Sequence, residues 1–125
     1  MSLLEKIITL EKEAEDFGFK WETAHQIMAQ IRSECDEISV HLKNPSSDPD
    51  KIALQEEIGD LLHAVFSLCV FCKLSPQATL EKTLNKFELR LRAVKEIANA
   101  KGLTSLDGCS FDELMEYWNK AKKRG

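Results

Sequence analysis

Ala24-His25-Gln26-Ile27-Met28-Ala29-Gln30-Ile31-Arg32-Ser33-Glu34-Cys35-Asp36-Glu37-Ile38-Ser39-Val40-His41-Leu42 is the stretch that decides how this chain folds. Its apolar residues Ala24, Ile27, Met28, Ile31, Cys35, Ile38 and Leu42 recur at threes and fours. That spacing lines one side of an α-helix, and nothing in it alternates as a half-buried strand would. A helix is predicted over residues 22–43. Glu34 borders the apolar stripe, and Glu37 lies about 60° further round the helix.

The same periodicity extends in both directions, so the chain reads as all-α. A first helix is predicted over residues 3–16, carrying Leu3, Leu4, Ile7, Ile8 and Ala14, with a break at Gly18 in Phe17-Gly18-Phe19-Lys20-Trp21. After a loop at Asn44-Pro45-Ser46-Ser47, Asp48-Pro49 supplies a capping acceptor followed by proline at the first helical position. The third helix should reach Lys73, and its apolar half, Leu61 to Cys72, suits a central helix that partly faces a second subunit. Ala53, Glu57, Asp60 and Ala64 share one ridge of it, so small side chains flank the acids. Ser75-Pro76 opens a fourth helix over 76–101, with Leu80, Leu84, Phe87, Leu91, Val94 and Ala98 expected inward and Gly102 as its stop. Ser110-Phe-Asp-Glu113 fits a capping box for a short last helix bearing Leu114, Trp118, Ala121 and Lys122. The expected architecture is bundle-like, with four helices and a short C-terminal one.

A chain of 125 residues is near the common domain size, and one domain over 1–125 is expected. The formal charge of −4 argues against a general nucleic-acid binder. The N-terminus interrupts its apolar residues with charges every few positions, unlike a signal peptide or a membrane span, so no membrane partner and a cytoplasmic location are expected. Cys35, Cys69, Cys72 and Cys109 are read as reduced thiols, and Cys69-Val-Phe-Cys72 as packing, because no second Cys or His pair stands in register.

Two acidic doublets carry the chemistry: Glu34-x-x-Glu37 and Glu57-x-x-Asp60, with Glu56 beside the second. Each doublet presents two carboxylates on one helix face, and antiparallel packing would oppose the pairs. Like charges about 4 Å apart repel by about 4 kcal/mol at an effective dielectric near 20. Such a cluster stays solvated, protonates in part, or binds a cation. An all-carboxylate set suits Mg²⁺, with Mn²⁺ as the alternative, better than Zn²⁺. Lys86, Arg90 and Lys122 are the natural counter-charges for phosphate oxygens, and Trp21 and Trp118 offer faces for a base, although lone tryptophans at helical spacing are more commonly core. Asp60-Leu-Leu-His63 matches half of a di-iron carboxylate site whose second copy is missing. A redox-metal bundle and a non-enzymatic dimerisation module therefore stand as alternative readings. There is no glycine-rich phosphate loop, so phosphate chemistry here would depend on metal and side chains.

From Phe17 to Lys122 the chain resembles the MazG-like nucleoside triphosphate pyrophosphohydrolases of the all-α NTP pyrophosphatase superfamily. Phe19-Lys20-Trp21 looks like the aromatic entry segment, and Arg32-Ser-Glu34-Cys-Asp-Glu37-Ile38 like the first acidic helix. Leu54-Gln-Glu56-Glu57-Ile-Gly-Asp60-Leu-Leu62 looks like the second, and is the most specific piece. Asn85-Lys86-Phe87-Glu88-Leu89-Arg90 resembles the basic motif, and Met115-Glu-Tyr-Trp118-Asn-Lys-Ala-Lys122 the closing helix. The resemblance implies Mg²⁺-dependent hydrolysis of a nucleoside triphosphate to the monophosphate and pyrophosphate, in a homodimer or homotetramer. It implies Glu34, Glu37, Glu57 and Asp60 as ligands and catalytic residues, with Lys86, Arg90, Trp118, Lys122 and Trp21 on the substrate. Ser33 stands where the family commonly has a further Glu, and Leu89 where it commonly has an Arg.

Overall fold

The computed structural model describes residues 1–43 and 48–124, the side chains of 48–50 excepted. The predicted loop at 44–47 and the capping side chain of Asp48 lie outside the described residues. Five helices follow one another without a strand among the described residues: α1 (Leu3–Asp16), α2 (Ala24–Leu42), α3 (Asp48–Phe71), α4 (Pro76–Ala100) and α5 (Phe111–Lys123). They fall into two compact units, Met1–Thr79 and Leu80–Gly125, so α4 begins in the first and continues through the second. No single helix among the described residues is long and apolar enough to cross a membrane.

The helix ends follow local side-chain chemistry. Ser2 and Ser110 each accept a hydrogen bond from the amide of the glutamate three residues on, Glu5 and Glu113, while that glutamate accepts from the serine amide. Thr23 and Gln26 make the same reciprocal pair at the start of α2. α2 therefore begins at Ala24, because Thr23 is its cap and not its second residue. α3 ends at Phe71, two residues before the expected Lys73, because Lys73 adopts a left-handed φ of 64°. Its amide bonds Val70 O at 3.0 Å while the Leu74 amide bonds Cys69 O at 2.8 Å, which satisfies the last carbonyls of the helix. Ser75 Oγ then accepts from Ala78 N at 3.1 Å, and Pro76 is buried at the first position of α4. Gly102, at φ 82°, terminates that helix where the sequence placed its stop.

In the first unit α3 packs along α2 and, less extensively, against α1. The α2–α3 pairing is antiparallel: Glu34 shares a cavity with Asp60, and His41, two turns further along α2, approaches Glu57, about one turn back along α3. Ile27 is fully buried, and Ala64 and Cys69 are buried in the same unit. Burying one such isoleucine stabilises the fold by about 1.5–3 kcal/mol. In the second unit Ala93, Ala98, Tyr117 and Ala121 are buried.

Several residues expected inward are exposed in the single chain. Leu84, Phe87 and Leu91 of α4 are exposed, as are Leu3 and Ile8 of α1 and Cys35 and Leu42 of α2. The helical period was read correctly there, but period alone does not say whether a stripe meets its own chain. Ile58, Leu62 and Val65 likewise leave an apolar face of α3 open. All four cysteines are free thiols; Cys69 is buried as packing requires, whereas Cys72 is exposed.

Candidate metal centre

The antiparallel pairing of α2 and α3 brings the two doublets together. One carboxylate oxygen from each of Glu34, Glu37 and Glu57 lies within 4.8 Å of the other two. Glu34 is only 7% exposed. Its Oε1 accepts a 2.6 Å hydrogen bond from Gln30 Nε2, one turn earlier on α2, while its Oε2 is buried with no hydrogen-bond partner. Glu57 Oε2 is buried and unpartnered in the same way, and Glu57 Oε1 lies 3.7 Å from His41 Nε2.

Unpaired buried carboxylate oxygens are costly, and they occur where a further partner is expected. A hydrogen bond shared with Glu57 holds the Glu37 carboxyl above its ordinary value, and the Glu57 charge adds to it; Asp60 pushes the same way more weakly, while a hydrogen bond with Glu34 opposes. Crowding by the neighbouring carboxylates thus makes a proton on Glu37 easier to hold than on an isolated glutamate. A hard divalent cation relieves it more completely, and an all-oxygen donor set fits Mg²⁺.

Asp60 is exposed and is not one of the three residues whose ligand atoms converge. It stands with Glu34 at one part of a cavity of about 530 Å³ that also reaches Trp21. His63 does not act as a partner to Asp60 in the manner of a di-iron half-site. Its Nε2 instead meets Glu11 Oε1 at 2.8 Å. Glu56 is exposed, and so is Ser33.

The expected phosphate and base contacts of the second unit form their own cluster. The Arg90 guanidinium lies over the Trp118 ring at 5.7 Å, and Phe87 tilts against the same ring at a centroid distance of 5.7 Å. Arg90 Nε is buried without a hydrogen-bond partner. Lys86 and Lys122 are exposed.

Sequence reasoning missed Gln30, His41, Glu11 and Ser67. The first two carried a usable signal, since Gln30 precedes Glu34 by one helical turn and His41 follows Glu37 by one. Glu11 and Ser67 carried none, because 56 residues separate them.

The fold is thus an all-α one that gathers carboxylates from two antiparallel helices, with buried oxygens left over, a donor set of oxygens rather than of thiolates or imidazoles. Residues 22–94 match the model of the MazG nucleotide pyrophosphohydrolase domain, and the chain belongs to that family. It is 30% identical over 115 residues to the nucleoside triphosphate pyrophosphohydrolase of Escherichia coli (strain K12), a match covering 92% of this chain and 43% of that protein. It is 31% identical over 113 residues to the nucleoside triphosphate pyrophosphohydrolase/pyrophosphatase MazG of Thermotoga maritima, covering 90% of this chain and 41% of that one. The chain therefore spans about two fifths of the length of these relatives.

Proposed function

We propose that this chain hydrolyses nucleoside triphosphates to the monophosphate and pyrophosphate with Mg²⁺, with Mn²⁺ as a substitute. The observation that carries the reading is the convergence of Glu34, Glu37 and Glu57 within 4.8 Å, with buried Glu34 and Glu57 oxygens left unpartnered. Glu34, Glu37 and Glu57 would hold the metal, and Asp60, on the same ridge as Glu57, would complete the set. When bound, the cation supplies charge neutralisation at phosphate oxygens and an acidified water.

The chain's own groups do the rest. Gln30 restrains Glu34 through a hydrogen bond to Oε1, while the buried Oε2 is left open to a further partner. Lys86, Arg90 and Lys122 would bind phosphate oxygens and stabilise the departing pyrophosphate. Arg90 is suited to this by its unpartnered Nε and by its stacking on Trp118, which restricts the guanidinium. Trp118 and Trp21 would offer stacking faces to the nucleoside. The names of the E. coli and T. maritima relatives support the same reaction.

Product analysis tests the reaction. Purified protein with Mg²⁺ should release pyrophosphate from nucleoside triphosphates, and release of orthophosphate alone from every nucleotide would overturn the assignment.

The exposed Ile58, Leu62 and Val65 favour a homo-oligomer, dimer or tetramer, in which this face of α3 is covered. The family and the composition favour a cytoplasmic enzyme acting on free nucleotides, with neither nucleic acid nor membrane as partner.

A further inference from the structure

Three carboxylates converge at the candidate centre, and one imidazole stands at their edge. His41 Nε2 lies 3.7 Å from Glu57 Oε1, with the two side chains 27% and 22% exposed. That separation is too long for a hydrogen bond. It suits two donors of one first-row divalent cation: with each about 2.1 Å from the ion, adjacent donors stand about 3 Å apart and opposite ones about 4.2 Å. His41 also continues the acidic ridge of α2, because Glu34, Glu37 and His41 are spaced three and four apart and lie on one side of the helix. His63, by contrast, has its Nε2 engaged by Glu11 at 2.8 Å.

The feature beside His41 is more than an acidic patch. Glu34 is 7% exposed and its Oε2 is buried without a hydrogen-bond partner, as is Glu57 Oε2. His41 is outside the set in which every donor atom lies within 4.8 Å of the others, and it meets that set through Glu57. Its use then depends on the ion. Mg²⁺ takes oxygen ligands and keeps several of its waters, so the carboxylates satisfy it and the imidazole stays aside. Mn²⁺ and Co²⁺ accept imidazole nitrogen, with Co²⁺ the stronger binder, and rotation of a partly exposed side chain is the only movement needed to bring Nε2 to the ion.

We propose that His41 is an ion-selective ligand of this centre, left out when Mg²⁺ binds and recruited as a nitrogen donor by Mn²⁺ or Co²⁺. The inference rests on the metal-centre reading given above. It makes the centre a graded one, in which the oxygen donors admit any hard divalent cation and His41 adds affinity for transition-metal ions alone.

Isothermal titration calorimetry of the full chain with MgCl₂, MnCl₂ and CoCl₂, beside the His41→Gln variant, tests this without nucleotide or turnover. In the variant Mn²⁺ and Co²⁺ affinity should fall at least about tenfold while Mg²⁺ affinity stays within about twofold. Pulsed electron paramagnetic resonance of the Mn²⁺-loaded wild type should show coupling to an imidazole nitrogen, and His41→Gln should remove it. Equal losses for the three ions, unchanged affinities, no nitrogen coupling in the wild type, or coupling that persists in His41→Gln would overturn the assignment. If the variant does not fold, the wild-type nitrogen signal decides alone. Mg²⁺ binding without nitrogen coupling to Mn²⁺ removes His41 and leaves the carboxylate centre standing, whereas failure of all three cations to bind removes both. Nitrogen coupling in a chain that releases no pyrophosphate leaves His41 standing and removes the reaction.

Discussion

At the residue scale the chemistry turns on which oxygens lack partners. Glu34 has one oxygen tied to Gln30 and one buried and unpaired, which suits the ligand role proposed for it. Glu37→Gln and Asp60→Asn should each abolish pyrophosphate release while circular dichroism shows unchanged helicity; activity retained in either variant would remove that residue from the ligand set. Gln30→Ala frees the Glu34 side chain and should weaken Mg²⁺ affinity by about tenfold, read by titration calorimetry. Acid–base behaviour follows from Glu37, whose carboxyl is held above its ordinary 4.5 by Glu57. The folded chain binds that proton more tightly than the unfolded chain does. Its contribution to stability is therefore complete below about pH 4.5 and is lost as pH rises through the elevated folded value. In EDTA, thermal melts across this range should show the wild type losing melting temperature relative to Glu37→Gln as pH increases. These residues were only partly legible beforehand. The doublets announce themselves by spacing within one helix. Glu11 and Ser67 meet only through the docking of α1 on α3, which no local pattern encodes.

At the element scale, caps and breaks decide where each helix presents its side chains. Thr23 and Gln26 close the start of α2, the helix that carries Glu34 and Glu37. Thr23→Ala should cost about 1 kcal/mol in urea unfolding, as should Ser110→Ala at the start of α5. Periodicity and capping residues made the helices readable, and α1 runs over the residues predicted for it. The disagreements have specific causes. A lysine in the left-handed conformation ends α3, a role more often announced by glycine, so the sequence offered no warning at Lys73. The stripe of α4 was real as a pattern, yet Leu84 and Phe87 are exposed, because a stripe records that a face is apolar and not which surface covers it.

At the scale of the whole molecule, the open apolar face at Ile58, Leu62 and Val65 predicts association. Light scattering after gel filtration should give a mass at least twice that of the 14.2 kDa chain, and Leu62→Glu should shift it toward the monomer. The all-α class was legible because every segment shares one period. The grouping into units at Thr79 and Leu80 was not, since the boundary falls inside the continuous helix α4. The converging carboxylates of Glu34, Glu37 and Glu57 are divided between α2 and α3, so a cation seated among them would act as a staple across the pair. Binding to the folded state alone adds about 2.7 kcal/mol to stability when the free ion stands at 100 times its dissociation constant. The lifetime of the folded chain against proteases would then follow the free concentration of that cation, making the fold itself a reporter of the ion around it.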